Sequence, residues 1–89
     1  MTYKQLNLLR MVLRLPTVDR QRYYKFILSA TKFIYDCKDP YVKSLMQYRF
    51  IKRCSWVHVG IIHNLKPDAA RMLVKRYLEK TYEMVGDNE

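Results

Sequence analysis

Loop-building residues are scarce in this chain: it has two glycines and three prolines in 89 residues. There is no glycine-rich phosphate loop and no GxSxG turn, so the common nucleotide-binding and hydrolase signatures are missing. Cysteine is scarce too. Cys37 and Cys54 belong to no CxxC pair, which argues against a disulfide-stapled secreted scaffold or a zinc ribbon. Both read as reduced thiols, although a hairpin of the segments that carry them leaves a single disulfide open. Acidic residues number eight, and three of them fall in the last seven residues. A paired-carboxylate active site therefore has few candidates. The two histidines, His58 and His63, are five apart and so do not stack on one helix face. With no HExxH or Cys/His set around them, they read as surface or interface residues, and no metal is expected. No run of about 18 apolar residues exists, so no transmembrane helix is expected. Lys4, Arg10 and Arg14 interrupt the first apolar stretch, which speaks against a secretory signal. What survives these exclusions is a non-catalytic binding protein.

What the chain does have is apolar surface and positive charge. Hydrophobic residues make up 49% and aromatics 13%, with eight tyrosines. For a single small domain this supply implies a dense core, a surface meant for a partner, or both. Seventeen Lys and Arg leave a formal charge of +9, which attracts nucleic acid, an anionic membrane surface or an acidic protein. The first acidic residue is Asp19. The segment before it is basic and amphipathic, with the character of a mitochondrial targeting segment as well as of a structural helix.

Pro16, Pro40 and Pro67 divide the chain into four segments with helical periodicity, which predicts an all-α fold. In residues 3–15, Leu6, Leu9, Val12 and Leu13 share a face. In 18–36, with Thr17 as a cap, the stripe is Tyr23, Phe26, Ile27, Ala30, Phe33 and Ile34. The third segment, 40–63, reads as one helix started by Asp39 as N-cap and Pro40 at the first helical position. Its stripe is Val42, Met46, Phe50, Cys54, Val57 and Ile61, widened by Leu45, Tyr48, Trp56 and Val59. Gly60 weakens its last turn. The fourth, 67–85, carries Ala70, Leu73, Val74, Tyr77, Thr81 and Met84, with Gly86 as terminator and a frayed end beyond it. Short linkers predict antiparallel neighbours.

Arg10, Arg14, Arg20, Arg22, Lys25 and Lys32 fill the first two segments, where Asp19 is the one acid through residue 35. They form a solvated face or an electropositive docking surface. Tyr23, Tyr24, Phe26, Phe33 and Tyr35 read as core at this spacing, with a stacking platform for single strands as the alternative. Tyr41, Phe50 and Trp56 are candidates for contacts to a large neighbour.

The stretch LLRMVLRLP, then DRQRYYKFILSATKF, then DPYVKSLM, resembles the LYR-motif family of small mitochondrial proteins. Leu8, Leu9 and Arg10 stand where the Leu-Tyr-Arg triad would be, Arg14 matches a later basic position, and Phe33 matches a Phe near the end of the second helix. The resemblance covers about residues 4–50. Leu9 replaces the signature Tyr, Ser29 and Ala30 stand where the family often has Arg, and Tyr48 falls near an expected glycine.

The resemblance implies an antiparallel three-helix LYR-type bundle over residues 1–65 and a C-terminal helical extension over 66–89. It implies an adaptor for mitochondrial acyl carrier protein, whose acyl-phosphopantetheine arm would enter between the helices. The protein itself would hold no cofactor. The carrier-binding residues would be Leu8, Leu9, Arg10, Arg14, Arg22, Lys25, Lys32, Phe33 and Lys43. The acyl channel would be lined by Leu6, Leu13, Ile27, Ala30, Val42 and Met46. Such a protein would be an accessory or assembly subunit of a respiratory complex or the ATP synthase, peripheral to the matrix side of the inner membrane. Two rivals stand beside this reading: a small basic mitoribosomal or RNA-binding helical protein, and a free-standing helical interaction domain.

Overall fold

The computed structural model describes the backbone of residues 1–87 and the side chains of residues 1–81. Among the described residues the chain is all helical and has no strand. Five rods succeed one another along the chain. The first is α1 (Tyr3–Val12). The second is built from α2 (Thr17–Arg20), a 3₁₀ turn (Gln21–Tyr23) and α3 (Tyr24–Tyr35). The third is α4 (Pro40–Met46) running into a π turn (Gln47–Ile51). Then come α5 (Trp56–His63) and α6 (Pro67–Asp87).

Local chemistry sets most of the starts. Thr2 and Gln5 form a reciprocal capping box on α1. Asp39 accepts from the Tyr41 and Val42 amides at 3.0 and 3.2 Å, with Pro40 at the first position of α4, as its Asp-Pro pair predicts. Two predicted ends move. Thr17 is the first helical residue of α2, with Pro16 in the cap position. Helix α6 is assigned through Asp87, past Gly86, so that glycine does not end it. Met84 on the predicted stripe lies outside the described side chains, and Asn88 and Glu89 lie outside the described residues.

The main departure lies in the third segment. One helix over 40–63 is expected, and two are found. The π turn closes with Lys52 N–H donating to the Gln47 carbonyl at 2.9 Å. Arg53 then turns left-handed at φ 62°, and Ser55 caps α5 by accepting from the His58 amide at 3.1 Å. These non-helical residues reset the phase of α5 relative to α4. Val57 and Ile61, expected inside, are 59% and 72% exposed, while Val59 and Gly60 are buried.

One core joins the rods. Leu6 and Leu9 of α1, Ala30 and Ile34 of α3, Leu45 and Met46 of α4, and Phe50 of the π turn meet Val59 of α5 and Ala70, Val74 and Leu78 of α6. Helix α1 packs on the π turn and on α3, and α6 packs on α4 and α5. The outline is a slab of 38 × 36 × 18 Å, thin enough for about two helix layers. The α5–α6 corner is tight. Asn64 takes the left-handed conformation (φ 57°), and Leu65 N–H reaches back to the Gly60 carbonyl at 2.8 Å. A Cβ on Gly60 would run into the Leu65 carbonyl oxygen, so this glycine permits the close approach.

Candidate functional site

The face where α1 meets the π turn gathers aromatics and arginines. Tyr3 lies edge-on to Phe50 with ring centroids 6.1 Å apart, and Phe50 lies edge-on to Trp56 at 6.3 Å. The Trp56 indole N–H donates to the Tyr3 hydroxyl at 3.3 Å. Arg10 is seven residues from Tyr3 and so shares its helix face. It is half-buried, and its Nε–H is buried with no protein acceptor. Arg49 leaves the π turn, which packs on α1. Its Nη1 donates to the Cys54 carbonyl at 3.0 Å, and its guanidinium lies 4.9 Å over the Trp56 ring. The Arg49 Nε–H is likewise buried and unmatched. Burial, and then the neighbouring Arg10 charge, lower the Arg49 pKa below its ordinary value. Among the described residues, the single ion pair is Arg71 with Asp68 on α6, at 3.5 Å. No carboxylate among them pairs with either of these half-buried arginines.

The other predicted carrier-binding residues are dispersed. Leu8 is exposed at 42%, but Leu9, its neighbour in the triad, is wholly buried. Arg14, Arg22, Lys25 and Lys32 are exposed, and Phe33 is half-buried against the core. Lys43 lies over the Tyr35 ring at 5.7 Å. Of the predicted channel residues, Leu6, Ala30, Val42 and Met46 are packed inside the closed core. Leu13 and Ile27 instead line an open groove of about 410 Å³ with Thr17, Arg20, Gln21 and Tyr24. This groove lies at the joint between α1 and the second rod.

The candidate neighbour contacts also divide. Tyr41 is 44% exposed, Trp56 is half-buried, and Phe50 is wholly buried, which removes it from any free surface. Its burial comes from the π turn, which carries it under Tyr3.

His58 is exposed as expected, and His63 is not. The His63 Nδ1 lies 2.8 Å from the Val59 carbonyl, an acceptor, so Nδ1 carries the proton. The other ring nitrogen then accepts from the Ser44 hydroxyl at 2.8 Å. Tyr41 and Tyr48 meet the imidazole edge-on at 5.8 and 5.5 Å, and the Tyr41 hydroxyl donates to the His63 carbonyl at 3.1 Å. Ser44 and His63 lie as close as a nucleophile and its base, but Ser44 sits inside α4 and aromatic rings flank the imidazole. The arrangement is a tie between α4 and α5.

Among the described residues, no cluster of three or more His, Cys, Asp or Glu side chains could hold a metal, and no helix is long and apolar enough to cross a membrane. No family model, no curated protein and no solved structure matches this chain.

Arg49 is the site residue that sequence reading misses. Its position in a segment of helical periodicity gives it no mark against sixteen other basic residues. What singles it out is the end of the helix at Ile51, which brings the Cys54 carbonyl and Trp56 back over it.

Proposed function

We propose that this protein is a non-catalytic LYR-type adaptor for an acidic acyl carrier protein, acting as an accessory or assembly subunit of a large complex at the mitochondrial inner membrane. The observation that carries the reading is the open apolar groove walled by Leu13, Tyr24 and Ile27, with Arg20 at its edge. It lies in a region whose exposed cations Arg14, Arg22 and Lys25 have no acidic partner among the described residues. An acyl chain laid in the groove would contribute ~0.8 kcal/mol per buried CH₂, while the basic surround steers and orients an acidic carrier. In this reading, residues 1–65 supply the docking unit and 66–89 the extension. The LYR-type three-helix arrangement is part of the proposal. It is supported by the packing of α1 against α3 and of α3 against α4.

Arg14→Glu is the appropriate charge reversal. Arg10 is half-buried with its Nε–H enclosed, so a glutamate there would disturb packing as well as charge. Calorimetric titration of the full chain with apo, holo and acylated carrier tests the reading. Arg14→Glu is expected to weaken all three forms, and Ile27→Glu to abolish the preference for the acylated form, by about tenfold or more for a loss of 1.4 kcal/mol. Equal binding of apo and acylated carrier, or tight RNA binding that falls steeply with salt, would overturn it.

A further inference from the structure

We propose that the outward face of α5 docks on the surface of an anionic lipid bilayer. The proposal is independent of carrier binding: the face shares no residue with the groove at Leu13 and Ile27, so either can fail alone. Helix α5 is about equally apolar on both sides, a pattern that belongs to helices covered all round. Here one side is covered. Val59 and Gly60 are buried, and Trp56 and His63 half-buried, where α5 packs on α6 and the π turn. The opposite side carries Val57, His58, Ile61 and Ile62, all exposed. Val57 and Ile61 are four apart, as are His58 and Ile62, so the three aliphatic side chains are neighbours on the helix surface.

Charge decides what covers this face. Residues 54–65 carry no Lys, Arg, Asp or Glu in a chain of net charge +9. The charges that border them are Lys52 and Arg53 before α5 and Lys66 after it, all basic and all exposed. No acidic residue occurs between Asp39 and Asp68, and Asp68 pairs with Arg71. A second copy is therefore a poor cover. Packing α5 on α5, in either direction, sets these cations against cations with no acid to separate them. A protein partner calls for about one hydrogen bond per 100–200 Å² of interface, and His58 is the one polar side chain of the four. A bilayer asks for what the face has. Aliphatic groups enter the acyl boundary, while cations at both ends of a rod about 12 Å long reach the lipid phosphates. Anionic lipid adds attraction for each cation near the surface. The helix lies on the interface and does not cross it, so the association is reversible.

The test uses the full-length chain with vesicles and no carrier. Co-sedimentation compares vesicles of phosphatidylcholine alone with vesicles of phosphatidylcholine and phosphatidylglycerol in equal parts. Binding to the anionic vesicles is expected, and little to the neutral ones. The double variant Val57→Ser, Ile61→Ser keeps every charge and should weaken binding at least tenfold, with helicity by circular dichroism unchanged because both side chains are exposed. Leu28→Ser removes an exposed aliphatic group from α3 instead and should leave binding as it is. Lys52→Gln combined with Lys66→Gln should weaken it by about tenfold or more. Ile61→Trp places an indole on the outward face. Its emission should move to the blue on vesicle binding and be quenched by lipids brominated in the upper acyl chain, which adsorption by charge alone does not produce. Unweakened binding by the serine pair or by the glutamine pair, an unquenched indole, or equal binding to neutral vesicles overturns the proposal. So does a dimer, seen by sedimentation without vesicles, that the serine pair dissolves, because the face would then be a contact between copies.

Discussion

Ser44 and Gly60 are small residues whose importance comes from what stands opposite them. Ser44 donates its hydroxyl to an imidazole whose other nitrogen is already committed to the Val59 carbonyl. Removing the hydroxyl leaves a half-buried acceptor unmatched. Ser44→Ala is therefore expected to cost about 0.5–1.5 kcal/mol in urea unfolding, without loss of helicity. At Gly60 the limit is steric. The Leu65 carbonyl occupies the space a Cβ would need, and it belongs to backbone that cannot rotate away. Gly60→Ala should lower stability by about 1–3 kcal/mol by overpacking, against the gain of up to about 1 kcal/mol that helix propensity alone would suggest. An unchanged midpoint in urea would show that the α5–α6 corner relaxes freely.

At the scale of the element, legibility depended on whether the signal was local. Asp39-Pro40 and Pro67 are read correctly because a cap and a first-turn proline act within one turn of their own position. The break after Ile51 has no such mark. Lys52 to Ser55 contains neither glycine nor proline, and Ser55 lies within an apolar stripe that keeps helical spacing on both sides of it. The cost of the break shows in Arg53, a side-chain-bearing residue at φ 62°. A left-handed conformation costs such a residue roughly 1–2 kcal/mol. Arg53→Gly is expected to raise the unfolding free energy by up to about 1 kcal/mol, and Arg53→Val to lower it. If Arg53→Gly destabilises, the turn is held by contacts of the arginine side chain. The same break explains the failure of the predicted core at Val57 and Ile61, since a periodic argument cannot survive a change of phase.

The whole molecule is a thin slab, and thinness sets how much it can hide. Tyr23, Tyr24, Tyr35 and Tyr41 keep 39%, 63%, 50% and 44% of their surface exposed, although the spacing of Tyr23, Tyr24 and Tyr35 reads as core. Tyr77 is the contrary case. It packs against the core near Cys37, and burial first, then its interaction with Cys37, raises its phenol above the ordinary value of 10.0. The folded protein thus keeps that proton to higher pH than the unfolded chain does. Its contribution is complete below about pH 10 and is lost as pH climbs from there through the raised value. Tyr77→Phe should flatten the alkaline limb of a plot of thermal stability against pH above about 10. An identical limb in the variant would mean that another group sets it.

The sequence by itself determined the helical class, the proline-marked starts, the excess of positive charge and the apolar faces of α1, α3 and α6, because each arises from spacing or chemistry within a few residues. Leu6, Leu9, Ala30, Ile34, Ala70 and Val74 are buried as their periodicity requires. Of the proposed groove, the sequence named Leu13 and Ile27. It also placed Leu6, Ala30, Val42 and Met46 along a channel, whereas the tertiary structure closes them into the core. Tertiary structure alone decided that Arg49 folds over Trp56, that His63 is tied to Ser44, and that Phe50 turns inward. Each of these pairs elements across a change of direction, and that direction was set by a π turn, a left-handed arginine and a glycine pressed against a carbonyl. Their energies are balanced between segments, so no single stretch of sequence carries them.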